Sequence, residues 1–183
     1  MSLMWASNKH KNGFTIVELL IVIVVIGILA AITIVAFNGV QNRAKNQQTV
    51  SAVRSYYEAI ASHGVKNSKL PAGRTCIGPA EFYDSNPCYI GASTYNWTAT
   101  LNDSLNDSIS SRPATAKGSV TGSGVTASGI FYDNATGESA TGYLGFPIFG
   151  ASTCPVIAGA DVYGTSPTSM GADVYCRIKT PTF

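Results

Sequence analysis

The hydrophobic pattern divides the chain into three parts, of which the first is an apolar run over residues 14–37. Only four residues of this run are neither aliphatic nor aromatic, namely Thr15, Glu18, Gly27 and Thr33. About 20 apolar residues, each rising about 1.5 Å along a helix, span the hydrocarbon core of a bilayer. The run therefore predicts a transmembrane helix. Hydrocarbon would enforce the helix even though many of the residues are β-branched, because it offers the backbone no other partner.

The second part, residues 38–63, continues as an amphipathic helix. Apolar residues recur at helical spacing while polar residues fill the other faces, and no proline occurs between Phe14 and Gly64. The pattern predicts one helix from Phe14 to about Ser62, with Gly64 as its C-terminal cap. The apolar positions are Val40, Ala44, Val50, Val53, Tyr57 and Ile60.

The third part, residues 64–183, predicts a loop-rich globular domain that begins with an irregular segment over residues 65–116. Prolines interrupt this segment repeatedly. Within it the sequence Leu-Asn-Asp-Ser occurs twice in succession, over residues 101–108, and its leucine spacing predicts a short helix.

The sequence after Gly118 favours β-strands separated by glycines. Strands are predicted at residues 120–121, 125–126 and 130–132, with a hairpin turn at 133–137. Residues 143–149 predict a return strand that Pro147 interrupts.

A second repeat, Gly-Ala-Asp-Val-Tyr at residues 159–163 and again at 171–175, predicts two like strands that form a terminal hairpin around residues 164–169. Together these elements predict an α+β fold. About four or five antiparallel strands would form one sheet on the polar half of the long helix.

Glu18 is the one charged side chain within the apolar run. A carboxylate in hydrocarbon is costly, and such a residue usually marks function. Two interpretations are open. Glu18 could lie near the interface and reach back to water, or it could pair with a cation. Cutting the chain after Gly13 would supply one, because the new α-amino group of Phe14 would be largely protonated at neutral pH.

The residues around this junction resemble the class III signal of type IV pilins and type II secretion pseudopilins. The matching residues run from Lys9 to about Ala31. A short basic leader ends at Gly13, and Phe14, Glu18 and the following apolar block are all in register. Ordinary secretory signals are different, because they are cut after their apolar core.

The resemblance implies that residues 1–13 are a leader that a prepilin peptidase and N-methyltransferase removes, methylating Phe14. It implies that Glu18 guides the docking of each copy into a helical filament through the pilus assembly machinery. It also implies a pilin-like fold, a long N-terminal hydrophobic α-helix packed on a C-terminal antiparallel β-sheet. Gly27 and Ala31 form a small-xxx-small pair that would allow close helix approach.

The distribution of charge predicts how the precursor is oriented in the membrane, and it argues against a polyanion-binding protein. The net charge of +2 comes from Lys9 and Lys11 in the leader, and residues 14–183 carry ten basic and ten acidic side chains. The basic leader predicts that the N-terminus stays in the cytoplasm, with the precursor held as a single-pass membrane protein. A neutral subunit lacks the excess of positive charge that nucleic acid favours.

Four cysteines, Cys76, Cys88, Cys154 and Cys176, all follow the membrane segment. No Cys-x-x-Cys occurs and histidines are scarce, so zinc is not predicted. An even number in an exported domain predicts disulfides, and proximity favours Cys76 with Cys88 and Cys154 with Cys176. The two other pairings stay open from sequence alone.

Other candidate chemistry is weaker. No P-loop, zinc-protease or serine-hydrolase motif is present, and neither enzymatic activity nor a cofactor is predicted. The group Asp133, Asn134, Thr136 and Glu138 could offer oxygens to Ca²⁺, although ordinary turn chemistry is favoured. Glycosylation sequons occur at Asn96, Asn102, Asn106 and Asn134. The basic loop Lys66, Lys69 and Arg74 could contact DNA, but a solvated loop is favoured.

Three functional hypotheses follow from these features. The favoured one is a structural subunit of a type IV pilus-like surface filament that polymerises with copies of itself. The second is a pseudopilin or minor pilin of a secretion or DNA-uptake system. The third is a membrane-anchored binding module that never polymerises.

Overall fold

The computed structural model describes residues 13–83, 87–134, 142–164 and 168–182. The chain divides into two compact units, Met1–Gly39 and Val40–Phe183. Helix α1, Ile16–Asn67, begins in the first unit and ends in the second, so the predicted single helix is confirmed.

The end of α1 differs from the sequence prediction. Gly64 does not cap the helix but lies buried within it, and the helix continues to Asn67. Ser68 follows with a φ of 53°, the left-handed conformation that commonly ends a helix. The extra turn is stabilised by tertiary contacts, because His63 Nδ1 lies 3.1 Å from the carbonyl oxygen of Ser104 and Lys66 Nζ donates to that of Asp107 at 2.6 Å.

Short elements fill the rest of the second unit. Its described residues include two further helices, α2, Ala80–Tyr83, and α3, Ala99–Ser104. The strands of the described residues are β1 Gly73–Ile77, β2 Tyr89–Ile90, β3 Thr94–Tyr95, β4 Val120–Gly122, β5 Val125–Ala127, β6 Ile130–Asn134, β7 Tyr143–Ile148, β8 Thr168–Met170 and β9 Asp173–Lys179. Where it is described, the segment predicted as irregular therefore contains three strands and two helices, including the short helix at the Leu-Asn-Asp-Ser repeat.

The larger sheet packs on the second half of α1. Its five strands are antiparallel in the order β1-β6-β7-β9-β8. Alternate residues of β6, β7 and β9, together with Ile77 of β1, form the main core with the buried stripe of α1. The best-buried members are Val53, Tyr56 and Ile60 from the helix and Ile130, Tyr132, Leu144, Phe146 and Cys176 from the sheet.

A second sheet covers part of the opposite face, which corrects the prediction of a single sheet. Strands β4 and β5 belong to a four-stranded sheet of order β3-β2-β5-β4. Its Tyr89 stacks on Phe131 of the larger sheet, with ring centroids 5.2 Å apart, and lies 5.8 Å from the ring of Tyr175. The Tyr175 phenol lies over Gly145, where any Cβ atom would overlap it. The second unit thus has three layers.

Buried tyrosines between these layers act as neutral hydrogen-bonding groups. The Tyr83 hydroxyl donates to the Ile77 carbonyl oxygen at 2.7 Å and accepts from the Ile130 N–H at 3.1 Å. Burial raises the pKa of the Tyr83 phenol well above its usual range, so the proton that it donates is retained at any physiological pH.

Strand β7 is continuous through Pro147, contrary to the prediction that this proline interrupts it. Pro147 pairs with Tyr175 of β9, and β6 pairs with β7 only over Tyr143–Gly145. The missing N–H of the proline is tolerated because this stretch of β7 has already left its β6 neighbour. The hairpin turn predicted at residues 133–137 lies largely outside the described residues.

The terminal hairpin exists but has different strands. Strand β9 contains most of the second Gly-Ala-Asp-Val-Tyr copy, and its hairpin partner is β8. The first copy forms only one antiparallel bridge, between Val162 and Ile178. It is held there by backbone bonds from Tyr163 N to Arg177 O at 3.1 Å and from Lys179 N to Asp161 O at 2.7 Å. The two copies therefore share a sequence without sharing a secondary structure.

Within the second unit, polar groups on α1 side chains bind the backbone of surrounding loops. The Asn46 amide donates to the Phe149 carbonyl oxygen at 2.9 Å and accepts from the Phe149 N–H at 2.8 Å. Tyr57 donates to the carbonyl oxygen of Gly159 at 2.6 Å, and Tyr56 donates to that of Pro113 at 3.1 Å. The amide of Asn46 and the two tyrosine hydroxyls thus attach loops to the helix.

Both disulfides favoured by proximity are present, Cys76–Cys88 and Cys154–Cys176. The first joins β1 to the segment before β2, and the second ties the loop after β7 to the core strand β9. They close loops with sequence separations of 12 and 22 residues.

Removing the second disulfide is expected to lower the free energy of unfolding by about 3 kcal/mol. Closing a loop of this length lowers the conformational entropy of the unfolded chain, which corresponds to a free energy of about that size. The measurement is urea unfolding of the full chain in detergent, comparing wild type with the Cys154→Ala, Cys176→Ala double variant. Adding reductant to the double variant should cost a similar further amount, because Cys76–Cys88 remains. Crossed pairs in non-reducing peptide maps would contradict the assignment.

Candidate functional site

The predicted cleavage junction lies at the start of the described chain and outside any element. Gly13, Phe14 and Thr15 precede α1, and the Phe14 side chain is 81% exposed. A Cβ atom built on Gly13 would meet no atom within 4 Å. The chain's own packing therefore places no requirement for glycine at this position.

Thr15 and Glu18 form a capping box at the first turn of α1. The Thr15 N–H and the Thr15 hydroxyl both donate to Glu18 Oε2, each at 2.8 Å. In return the Glu18 N–H donates to Thr15 Oγ1 at 3.2 Å. A threonine before the helix and a glutamate three residues later satisfy N–H groups that a helix start otherwise leaves unpaired.

Thr15 is the residue of this site that the sequence analysis missed. The signal was present, because Thr-x-x-Glu before an apolar run is the sequence signature of a capping box. Among the described residues Glu18 forms no ion pair within the chain.

The first half of α1 exposes its apolar side chains. Every large hydrophobic residue from Phe14 to Phe37 is at least 48% exposed. Gly27 and Ala31 lie on this stretch, and a Cβ atom at Gly27 would meet nothing within 4 Å. By length and composition α1 is able to cross a membrane. An apolar surface of this extent is stable only in lipid or against other apolar surfaces.

The other candidate sites are distributed rather than assembled. Arg74 forms an ion pair with Asp133 at 2.8 Å and Lys66 binds a backbone carbonyl, so two of the three basic loop residues already have partners. Thr136 and Glu138 of the predicted calcium group lie outside the described residues. The residues that the structure describes contain no cluster of three His, Cys, Asp or Glu side chains suited to a metal. Of the sequon asparagines, Asn96 and Asn106 are exposed, whereas Asn102 and Asn134 are buried.

The fold and the site define a class of protein. An N-terminal helix with an exposed apolar first half continues into a helix that supports a C-terminal antiparallel sheet, which is the α+β arrangement of pilin-like proteins. The predicted fold class is confirmed.

Comparison with known proteins supports this class. The model of the prokaryotic N-terminal methylation motif matches residues 8–34. A fimbrial protein of Neisseria meningitidis serogroup A is 29% identical over 83 residues, 45% of this chain and 49% of the relative. A type IV major pilin protein PilE1 of Neisseria gonorrhoeae is 32% identical over 73 residues, 40% and 44% of the two chains.

A second kind of relative comes from secretion systems. The type II secretion system core protein G of Pectobacterium carotovorum is 30% identical over 66 residues, 36% of this chain and 42% of that protein. The matches thus span about half or less of the length of these curated relatives. No solved structure matches the chain. The motif, the relatives and the fold are all similar to those of type IV pilins and type II secretion pseudopilins.

Proposed function

We propose that the chain is the structural subunit of a type IV pilus-like surface filament. It is made as a membrane-anchored precursor, cleaved after Gly13, methylated on Phe14 and polymerised through its N-terminal helix. The observation that carries this proposal is the methylation motif over residues 8–34 on a helix whose apolar half is exposed. A helix with this surface fits the membrane before assembly and the apolar interior of a helical filament afterwards.

Specific residues have separate roles in this proposal. Gly13 and Phe14 form the processing site, and Glu18 pairs with the Phe14 amine of an adjacent copy. Gly27 and Ala31 allow neighbouring helices to approach closely, because small residues leave room between backbones. The partners are copies of this chain, a prepilin peptidase with N-methyltransferase activity, the assembly machinery and the membrane. The proposed role is structural rather than catalytic.

A pseudopilin role is the second candidate, and a specific observation favours it. The similarity to a type II secretion core protein is of the same order as the similarity to major pilins. The two roles predict different locations. A pilin accumulates in surface filaments that can be sheared from cells, whereas a secretion pseudopilin stays with the cell envelope and its loss stops export of a secreted protein.

Filament isolation followed by mass spectrometry tests the proposal. Sheared filaments from the native host should contain this chain as an abundant component whose N-terminal peptide begins at N-methylated Phe14. A strain that lacks the prepilin peptidase is the control and should contain only the longer precursor in its membranes. Finding the chain cleaved but confined to the envelope would favour the pseudopilin role. Finding it uncleaved would leave only a membrane-anchored binding module.

A further inference from the structure

An open groove of about 530 Å³ lies between helix α2 and the second sheet. This volume falls within the range of sites that bind small molecules. The groove is lined by residues of α2, β2 and β5 and of the segment that leads into β4. None of its lining residues belongs to α1, and the proposed function gives none of them a role.

The groove contains one carboxylate and one ammonium group, those of Glu81 and Lys117. Both residues are exposed, and neither forms an ion pair or a hydrogen bond within the part of the chain that the structure describes. They therefore do not pair with each other. Phe82, Pro87 and the exposed Ile90 supply an apolar wall. The groove thus combines two opposite charges with an apolar surface.

Both charged residues lie on backbone that the core holds in place. Glu81 belongs to α2, which the buried Tyr83 anchors through the two hydrogen bonds of its hydroxyl. Lys117 is followed by Gly118, whose φ of 141° favours glycine. A Cβ atom added to Gly118 would lie 3.1 Å from the ring of Phe149. Because this backbone is fixed in advance, a ligand would lose little free energy in ordering it.

The two charges restrict which ligands the groove can accept. A ligand that covers the groove displaces water from both charged groups, which is costly unless each group gains a partner. A neutral sugar would leave both groups without an opposite charge, and a nucleic acid would bring its phosphates close to Glu81. A molecule with one ammonium group, one carboxylate and an apolar side chain complements every part of the groove.

We propose that this groove binds a short peptide of two or three residues with free ends. The α-ammonium group contacts Glu81, the carboxylate contacts Lys117, and an apolar side chain packs against Phe82 and Ile90. Two or three extended residues reach roughly 7 to 11 Å, so one peptide can contact two groups that do not touch each other. The inference does not depend on filament assembly, because no residue of α1 lines the groove.

A titration followed by NMR tests this binding, using the isotope-labelled full chain in detergent micelles and the tripeptide Ala-Leu-Ala. The amide signals of Gly118, Ser119 and Thr126 should shift and saturate with a Kd on the order of 0.1–1 mM, as expected for a ligand of this size. Acetylating the N-terminus or amidating the C-terminus should each weaken binding about fivefold, the upper range for an exposed ion pair. Titration of the peptide into empty micelles is the control for partitioning.

Two variants assign each end of the peptide to one charge of the groove. Glu81→Gln should weaken binding of the free peptide about fivefold and leave binding of the acetylated peptide unchanged. Lys117→Gln should do the same for the free and the amidated peptide. Glu58→Gln and Lys69→Gln, which change exposed residues outside the groove, should bind like wild type. A contact that is merely apolar gives no such coupling between a variant and one peptide end.

Several results would overturn the inference. Equal binding of the free and the blocked peptides would reduce the groove to an apolar surface, and the absence of saturable shifts would remove the site. Shifts of the same signals that grow with protein concentration before peptide is added would assign the groove to a second copy of the chain. Free leucine that binds as tightly as the tripeptide would contradict contact at both ends. A failure to find filaments in the host changes none of these measurements.

Discussion

Gly13→Val is expected to leave the chain at precursor length. A peptidase that cuts at the membrane face must hold the residue before the cut in a narrow site, and valine adds a branched side chain there. The structure removes the main competing explanation, because a Cβ atom at Gly13 meets nothing in the chain itself. A loss of cleavage would therefore report on recognition by the peptidase rather than on a disturbed fold.

Immunoblots of membranes should show only the longer band for this variant, whereas wild type shows mature-length protein. Gly39→Val is the matched control. Gly39 lies within α1 and, like Gly13, has no atom within 4 Å of an added Cβ, but it is far along the chain from the junction. The control should be cleaved normally. Mature-length protein from Gly13→Val would show that the cut lies elsewhere.

The sequence revealed the N-terminal half of the molecule because the information there is local. A continuous apolar run predicts a helix regardless of what surrounds it, and Glu18 stands out as the only charge within it. The cap at Thr15 was readable by the same local rules. The predicted end at Gly64 was wrong because contacts of His63 and Lys66 with α3 and the turn after it stabilise an additional turn, and those contacts join residues far apart in sequence.

The layering of the second unit was harder to predict. The sequence gives the strand positions near residues 120, 125 and 130, but not which strands pair. One signal was available in the consecutive apolar residues Ile130, Phe131 and Tyr132, all of which are buried. A strand that is apolar on both faces indicates cover on both faces. The second sheet provides that cover, with Tyr89 stacked on Phe131.

The Gly-Ala-Asp-Val-Tyr repeat shows that local sequence alone does not determine secondary structure. Identical pentapeptides have equal intrinsic propensities, yet one contributes to the core strand β9 and the other forms a single bridge beside it. Tertiary position decides between them, because β9 pairs with β7 along six residues and the first copy has only the free edge of β9.

Glu18 variants are expected to have the largest effect on assembly. Glu18→Gln keeps the shape of the side chain and an oxygen that can accept from Thr15, but it removes the charge. Glu18→Ala removes the charge and the Thr15 contacts together. If an ion pair with the Phe14 amine drives docking, both variants should insert into the membrane at normal levels and lose their filaments, with alanine losing at least as much as glutamine.

The cost of an unpaired charge explains why the effect should be large. A carboxylate that enters the apolar interior of a filament without a cation is strongly unfavourable, and so is an amine left without its carboxylate. Glu18→Ala avoids the cost of an unpaired carboxylate but leaves the Phe14 amine of each copy without a partner. Glu18→Gln should fail for the same reason. Capping alone predicts a different order, with glutamine close to wild type and only alanine impaired.

The measurement is filament yield by shearing and electron microscopy, with processing followed by immunoblot and mass spectrometry. Cleavage must remain intact in Glu18→Ala, because only then does the amine exist and only then is pairing under test. Glu58→Gln is the matched control, since Glu58 is an exposed glutamate of the same helix in its second half. It should assemble normally. Should Glu18→Ala be cleaved and still form filaments at wild-type yield, the pairing proposal is wrong and Glu18 simply reaches the aqueous interface.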